Sequence, residues 1–357
     1  MKIFRFLSRP KQNLTQIPAV STPIAHLVGP GKLHVDNRRL TFSTGEGRQL
    51  FLEPESLEYL LCHGSVTVTA EALALSTEHA VNVTMLNDRG DRVLARLEPD
   101  DHSRTLCRIL QHRVLASESR RRTLARGAVL AKIQSQRAAV RHYQRQGRPD
   151  KHSSLDRLAE IEAHCAPTAS VDQLRVWEGA ASAVWFTHLA GLLCRPWTFS
   201  KRVRRPPTDP VNALLSFGYT LLLNRVAARV QAVGLEPALG SLHAFRPGRL
   251  SLACDLMEPL RVPVVDRWVI RLCNQRRISV EDFQPSVVDK PGVLLTDTGR
   301  GKVLSDWEKH WHENQFDAVL DLQVTGFMGE LRRLCDDWPG LKKKALRGEV
   351  QADAKLV

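Results

Sequence analysis

The sequence predicts an α+β fold, in which a small N-terminal β-domain, a sheet or sandwich over residues 1–98, precedes a larger all-α domain over residues 103–357. Apolar and polar residues alternate through residues 24–98, as in half-buried strands, and from about residue 103 apolar residues recur at helical spacing. The charge distribution gives the same division, because the whole net charge of +13 lies beyond residue 100.

Five short segments with the strand pattern predict the β-domain, and turn sequences separate them. Glycine and proline favour the dihedral angles of tight turns, and they mark the tracts at 29–31, 45–47 and 87–90. The five predicted strands read LHVDNRRLTFS, QLFLEP, SVTVTAEALALS, AVNVTMLN and DRVLARLEP. The polar tract at 98–101 indicates a linker that ends at a helix N-cap.

Amphipathic segments with start and stop signals predict the all-α domain. One helix covers 174–193. The next begins at Asp209 and Pro210, because aspartate caps free backbone N–H groups and proline fits the first helical turn, and it ends at Gly234.

The remaining part of the chain predicts three more helical segments. One begins near Ser251 and is expected to kink or break at Pro259 and Pro263, since proline cannot continue a regular helix. Residues 299–345 predict two further helices.

Charge is concentrated at the start of the predicted helical domain. Residues 1–100 hold 11 basic and 11 acidic residues, whereas residues 101–150 hold 12 basic and 3 acidic ones. A segment with a net charge of +9 indicates a polyanion, a membrane surface or an acidic partner. Nucleic acid is the commonest such partner, because each neutralised phosphate releases counterions.

Other classes of protein are disfavoured by composition. No apolar run reaches the roughly 18 residues that a membrane span needs, and Arg5 interrupts the short apolar start IFRFL. The seven cysteines are scattered without a CxxC pair, which disfavours a zinc ribbon and fits reduced thiols. We therefore expect a cytoplasmic protein that makes no contact with a membrane.

Arginines spaced four apart predict one basic stripe on the first long helix. A solvated face is an equally reasonable interpretation of one stripe, but the charge of the whole segment favours phosphate contact. Two arginines before the helix start at 209 and one near 250 complete the predicted DNA contacts. The six are Arg137, Arg141, Arg145, Arg204, Arg205 and Arg249.

Glu178 is the first residue whose setting suggests chemistry. Its neighbours one and two helical turns on are Ala181, Ser182 and Trp185, so no charge lies beside it on its own helix. A carboxylate on such a face is costly to bury unless it is paired or binds a metal. A structural ion pair with an arginine, or a hydrogen bond to Ser182, explains the pattern equally well.

A second group of candidate residues lies in GSLHAFRPGRLSLACDLMEPLR, residues 240–261. His243 lies in a loop, and Asp255 and Glu258 are three apart, which puts both acids on one face of the following helix. Two carboxylates and an imidazole suit Mg²⁺ or Mn²⁺. The alternatives are a histidine bonded to backbone and acids paired with arginines, of which Arg246, Arg249 and Arg261 are nearby.

Two further patterns are read as ordinary structure. His310 and His312 lie two apart on a predicted helix and therefore point to different faces, so we expect surface histidines. The tract GRGKVLS lacks the spacing of a phosphate-binding loop, so a nucleotide site is not predicted there.

The segments that carry these candidate residues resemble those of a known family. The block RRPPTDPVNALLSFGYTLLLNRVAARVQAVGLEPALGSLHAFRPGRLSLACDLMEPLR, residues 204–261, resembles the CRISPR-associated endonucleases that integrate new spacers in CRISPR adaptation. The helix WEGAASAVWF, residues 177–186, is similar to that family's first metal-ligand helix. The similarity continues through DRWVIRLCN at 266–274 and Gln323, and covers most of the helical domain.

The resemblance implies a divalent-metal site that uses Mg²⁺ or Mn²⁺. By motif, its ligands are Glu178, His243 and Glu258. Asp255 either supports these ligands from behind or joins them as an accessory ligand.

The resemblance also implies an activity and partners. The family joins protospacer 3′-hydroxyl ends to the CRISPR repeat by strand transfer, and with water as nucleophile the same site would cleave DNA. Its members form homodimers through the β-domain, and a small ferredoxin-like partner bridges two dimers into a heterohexamer. The competing hypotheses are a general metal-dependent nuclease for branched DNA and a catalytically inactive DNA-binding module.

Overall fold

The computed structural model describes residues 24–45, 47–57, 59–79, 81–87, 93–97, 105–204, 206–286 and 292–346. The chain divides into two compact units, residues 1–102 and 103–357. Strands dominate the first unit and helices the second, which confirms the predicted α+β fold class. Within the described residues, no helix is long and apolar enough to cross a membrane.

Among the described residues of the N-terminal unit, there are two four-stranded sheets, one α-helix and a short helical turn at 54–56. The first sheet has the order β1-β5-β7-β8, and the second has the order β4-β3-β2-β6. The strands are β1 (Ile24–Val28), β2 (Gly31–Asp36), β3 (Arg39–Thr44), β4 (Gln49–Leu52), β5 (Tyr59–His63), β6 (Val66–Val68), β7 (Asn82–Leu86) and β8 (Val93–Leu97). Leu27, Leu60 and Val83 of one sheet share a core with Leu33 and Leu40 of the other. Their burial explains the alternation seen in the sequence.

The prediction of a single strand over SVTVTAEALALS is wrong beyond Val68, because a helix, α1 (Ala70–Glu78), follows β6 directly. Thr69 caps it by accepting a hydrogen bond from the backbone N–H of Ala72 at 3.2 Å. Ala72 and Leu75 face the core. Leucine and alanine recur in ALALS at positions that suit both an alternating strand and one face of a helix, so the cap decides between them.

Ten helices, together with short turns and one two-stranded sheet, account for the described secondary structure of the C-terminal unit. The helices are α2 (Thr105–Ala116), α3 (Glu118–Arg145), α4 (Ser154–His164), α5 (Val171–Leu192), α6 (Pro210–Ala232), α7 (Ser251–Met257), α8 (Arg267–Asn274), α9 (Asp297–Glu313), α10 (Phe316–Leu334) and α11 (Trp338–Leu346). The two-stranded sheet, β9 (Phe283–Pro285) and β10 (Val293–Leu295), is antiparallel and was not predicted.

The predicted start of the central helix is confirmed. Asp209 accepts a hydrogen bond from the backbone N–H of Asn212 at 2.8 Å, and Pro210 is the first helical residue of α6. This helix is buried along most of its length, and its apolar residues lie in the larger of the two apolar cores of the unit. It provides a fixed support on which the surrounding helices pack.

The segment after Ser251 behaves as its prolines predict. Helix α7 ends at Met257, and the chain continues through a tight turn at 258–260 and a wide helical turn at 261–266. Pro259 lies in the first turn and Pro263 in the second. Because proline removes a backbone donor, this stretch departs from regular α-helix, and it packs against α3.

Two predictions for the C-terminal region are wrong. Residues 299–345 were expected to form two helices, but breaks at Gln315, with a φ of 51°, and at Cys335, which is extended, divide the region into α9, α10 and α11. His310 was expected at the surface but is buried, and its Nε2 lies 2.8 Å from the carbonyl of Val264. Only its neighbour His312 is exposed, since residues two apart face different sides.

Candidate metal centre

Three segments that are distant in sequence bring two carboxylates onto one cation. Glu178 comes from α5, Glu258 from the turn that follows α7, and Lys132 from the middle of α3. The Lys132 ammonium donates hydrogen bonds to Oε1 of Glu178 and, at 2.6 Å, to Oε2 of Glu258. The two glutamates that the sequence predicts as ligands therefore contact the same ammonium group.

Glu258 is fully engaged by positive charge. Its side chain is 2% exposed, and its second oxygen, Oε1, lies 3.0 Å from the Arg261 guanidinium. Burial opposes ionisation of this carboxyl, yet Arg261 and Lys132 together lower its pKa to about 2. Glu258 is thus a carboxylate at neutral pH. Pairing with Arg261, one of the alternatives left open by the sequence, coexists with its position in the acidic centre.

Glu178 is more open than Glu258. Its side chain is 19% exposed, and Ser182 Oγ donates to its Oε1 at 3.0 Å. Glu178, whose neighbours on α5 are uncharged, is therefore paired with Lys132 of another helix, α3, rather than with an arginine. The hydrogen bond to Ser182 that spacing allowed is also present.

Asp255 organises the loop that carries His243. One of its oxygens accepts from the backbone N–H groups of Ser241 and Leu242, at 2.6 and 2.8 Å. The other accepts from the backbone N–H of His243 at 3.0 Å and lies 2.7 Å from Nδ1 of the same ring. This enclosure leaves Asp255 in the role of a support, and it leaves Nε2 as the ring nitrogen that can bind a ligand.

Gly240 is required for this close approach of loop and helix. A Cβ at this position would lie 2.7 Å from the backbone carbon of Ser251 and 2.8 Å from Oδ2 of Asp255. Any side chain would therefore push the loop away from the carboxylate that fixes it.

The residues fit a hard divalent cation with one condition. Carboxylate oxygens and a neutral imidazole held by a second carboxylate form a donor set that suits Mg²⁺ or Mn²⁺. Among the described side chains of His, Cys, Asp and Glu, no three are placed to hold an ion as they stand. Lys132 lies at the position between Glu178 and Glu258, so this ammonium has to move before an ion can take that place.

Behind Glu258, a buried polar cluster fixes Arg261. The Arg261 guanidinium lies over the ring of Tyr219, 4.7 Å from its centroid, and the Tyr219 hydroxyl donates to Asp266. Trp185 Nε1 donates to the other oxygen of Asp266 at 2.7 Å. These contacts hold the partner of Glu258 in one orientation.

Sequence reasoning missed Lys132, although a signal was present. It is the single lysine among the basic residues of 101–150, and it follows Val129 by one helical turn on a face that also carries Ile133. A charged residue on the apolar face of a helix indicates a buried partner. Basic residues of this segment were instead read together as a phosphate surface.

The predicted DNA contacts differ in their availability. Arg137 is half-buried and ion-paired with Glu162 of α4, whereas Arg141 and Arg145 are exposed. Arg204 is exposed, Arg249 is partly exposed, and Arg205 lies outside the described residues.

Two carboxylates that contact one ammonium, together with a strongly basic long helix in the same unit, are typical of proteins that act on nucleic acids. The model of the family described as CRISPR associated protein Cas1 matches residues 25–309. The chain belongs to that family.

Curated relatives agree with this assignment. The chain is 37% identical over 270 residues to a CRISPR-associated endonuclease Cas1 of Rhodospirillum rubrum, a match that covers 72% of this chain and 77% of the relative. It is 32% identical over 275 residues to a Cas1 endonuclease of Moorella thermoacetica, with 74% and 79% covered. These matches support the same family, and both relatives are named as endonucleases.

Solved structures show the same fold. A CAS1 protein from Thermotoga maritima superposes with a TM-score of 0.77 at 21% identity, covering 87% of this chain and 97% of that one. A casposase bound to integration product gives 0.73 at 22% identity, with 91% and 99% covered. A Cas6-RT-Cas1–Cas2 complex gives 0.72 at 23% identity, with 90% of this chain but 37% of that chain covered.

Proposed function

We propose that this protein is a metal-dependent DNA endonuclease and integrase of CRISPR adaptation, which joins protospacer 3′-hydroxyl ends to the repeat by transesterification. The observation that carries the proposal is the convergence of Glu178 and Glu258 on one cation, Lys132. His243 supports it, since Asp255 holds its Nδ1 and leaves Nε2 for a ligand.

In this proposal Glu178, His243 and Glu258 bind Mg²⁺ or Mn²⁺. When bound, the metal supplies charge stabilisation at the scissile phosphate. Arg261 keeps Glu258 ionised and oriented, and Asp255 fixes the tautomer of His243. His243 acts as a ligand rather than as a general base, because a coordinated nitrogen cannot also accept a proton.

Double-stranded DNA is the proposed substrate and the proposed main partner. The net charge of +9 over residues 101–150 supports phosphate binding, and Arg141 and Arg145 are available for it. A homodimer and a small ferredoxin-like adaptation partner complete the proposed assembly. The likeness in fold to a Cas1–Cas2 complex and to a casposase bound to integration product agrees with these partners.

A strand-transfer assay tests the proposal. A short duplex with free 3′-hydroxyl ends and a repeat-bearing plasmid should give joined product with Mg²⁺ or Mn²⁺. Glu258→Gln should lose this product, while its binding of duplex, measured without divalent metal, should stay within a few fold of wild type. Cleavage of branched DNA without any joining to the repeat would instead favour a general nuclease. Product formation that survives in Glu258→Gln would contradict the proposed site.

A further inference from the structure

Lys132 occupies the position that the proposed function assigns to a divalent metal ion. Its ammonium bonds to one oxygen of Glu178 and one of Glu258, and its side chain is 5% exposed. Metal–oxygen bonds of about 2.0–2.6 Å would use these same oxygens. An ammonium and a divalent ion cannot both lie at hydrogen-bonding or bonding distance from the same pair of oxygens.

Of the two cations at Glu258, Lys132 is the one that can leave. Arg261 is held by its stacking on Tyr219 and pairs with the opposite oxygen of Glu258. Lys132 is a compact charge on a flexible stem with four rotatable bonds. One helical turn further along the same face, Gln136 has a buried side-chain oxygen for which the described residues offer no donor. An acceptor for a displaced ammonium therefore exists beside the site.

Charge balance sets the condition for that displacement. Glu178 and Glu258 together bring two negative charges, which Lys132 and Arg261 already neutralise. A divalent ion adds two positive charges to a site that is mostly shielded from water. Asp255, which contacts His243, supplies one negative charge, so one positive charge remains uncompensated while the ammonium stays beside the ion. A phosphodiester beside the ion supplies the missing negative charge and a new partner for the ammonium.

We infer that Lys132 is an exchangeable cation, which holds the two carboxylates together without metal and moves to a substrate phosphate when the metal binds, so that metal and DNA bind cooperatively. This inference rests on the proposed function. Because linkage is reciprocal, DNA should tighten metal binding by the same factor by which metal tightens DNA binding.

The test counts free Mn²⁺ by electron paramagnetic resonance on the full-length chain, with and without a short duplex. Glu258→Gln measured with the same duplex corrects for Mn²⁺ bound by DNA itself. In wild type, the duplex should tighten Mn²⁺ binding by at least about fivefold, the lower end of usual coupling between sites. In Lys132→Met, Mn²⁺ should bind at least about fivefold more tightly without DNA, and the effect of the duplex should fall below about twofold.

Arg225→Met is the matched control. It removes a different buried cation, one paired with Glu308 in the same unit, and should leave Mn²⁺ affinity within about twofold of wild type. Lys132→Met that binds Mn²⁺ no more tightly than wild type, or that keeps the full effect of the duplex, would overturn the inference. Should Lys132→Met fail to fold, an unchanged Mn²⁺ affinity of wild type on adding duplex overturns it as well. Mn²⁺ uptake unchanged in both Glu178→Gln and Glu258→Gln would instead contradict the proposed metal site.

Discussion

Asp255 shows how one buried side chain can organise a site without touching substrate. It is 1% exposed, and its oxygens accept hydrogen bonds from the backbone N–H groups of three successive residues, Ser241, Leu242 and His243. The loop is therefore wrapped around a carboxylate, and the His243 ring is oriented by the same group. Stability and ligand geometry depend on one residue here.

Replacing Asp255 should cost far more stability than replacing a surface acid. Asp255→Ala leaves three buried backbone N–H groups without an acceptor, and we expect the free energy of unfolding to fall by at least about 3 kcal/mol. Asp336→Ala, which removes an exposed ion pair with Arg120, should change it by less than about 1 kcal/mol. Urea unfolding measures both, and equal losses would contradict the role of Asp255.

Asp266 should make stability depend on pH in an unusual direction. Burial raises its pKa from an ordinary value of 3.8 to about 6, although Tyr219 and Trp185 donate hydrogen bonds to it. The folded state then holds more protons than the unfolded state between about pH 4 and pH 6, so the free energy of unfolding falls as pH rises through that window. The total effect is about 3 kcal/mol, and it is absent below the window.

Urea unfolding of wild type and Asp266→Asn across that window checks this sign. The wild-type value should decline relative to that of the variant from about pH 4 to pH 6 and run parallel to it above. Glu258 has the opposite effect at lower pH. Because its pKa is lowered to about 2, its contribution to the free energy of unfolding is lost as pH falls from about 4.5 to about 2. A wild-type value that rises with pH relative to Asp266→Asn would contradict the buried setting of Asp266.

At the residue scale, sequence could identify the acids, the imidazole and Arg261 as a possible partner of the acids, but it did not identify Lys132. Glu178 stands out because its helix neighbours are uncharged, and the acids at 255 and 258 stand out by spacing. The position of Lys132 on an apolar helix face indicates that it has a buried partner. The partners of Lys132 and of Asp266 could not be identified from sequence, because they come from other helices and only the fold brings them together.

Helix α3 carries basic residues in two different settings. Lys132 points inward to the acidic centre, while Arg141 and Arg145 are exposed. Arg137 belongs to neither set, since Glu162 already neutralises it. The predicted stripe of three arginines is therefore reduced to two that are free of an ion pair within the described residues.

The salt dependence of DNA binding should depend on Arg141 and Arg145 but hardly on Arg137. Arg141→Gln with Arg145→Gln should lower the slope of log affinity against log salt by about 2, since each phosphate contact contributes about 0.9. Arg137→Gln should change the slope by less than about 0.5, because Arg137 is paired with Glu162. Fluorescence anisotropy of a labelled duplex across salt concentrations measures both, and equal slopes for wild type and the double variant would contradict phosphate contact by α3.

Element prediction succeeded where a local signal exists and failed where two patterns overlap. Asp209 and Pro210 begin α6 as expected, because capping depends on neighbouring residues alone. The segment ALALS satisfies both strand and helix patterns, so the strand was wrongly extended into α1. The breaks at Gln315 and Cys335 were also missed, since neither is a glycine or a proline.

For the whole molecule, the neutral β-unit invites a prediction about assembly. Its basic and acidic residues cancel over 1–100, so DNA contact is not its expected role, and edge strands need to be covered. We expect a homodimer through this unit, and light scattering on the full chain should give about twice the 40.1 kDa chain mass. A chain that begins at Ser103 should be monomeric. A full chain that stays monomeric at micromolar concentration would place the interface elsewhere or exclude it.

Binding of one divalent ion by Glu178, His243 and Glu258 can be tested by diffraction from crystals of the full chain with duplex and Mn²⁺, recorded at the manganese absorption edge. We expect an anomalous peak within about 2.0–2.6 Å of an oxygen of each glutamate and of Nε2 of His243, with the Lys132 ammonium moved away from both carboxylates. A peak elsewhere, or no peak with Lys132 still between the two carboxylates at saturating Mn²⁺, would contradict it.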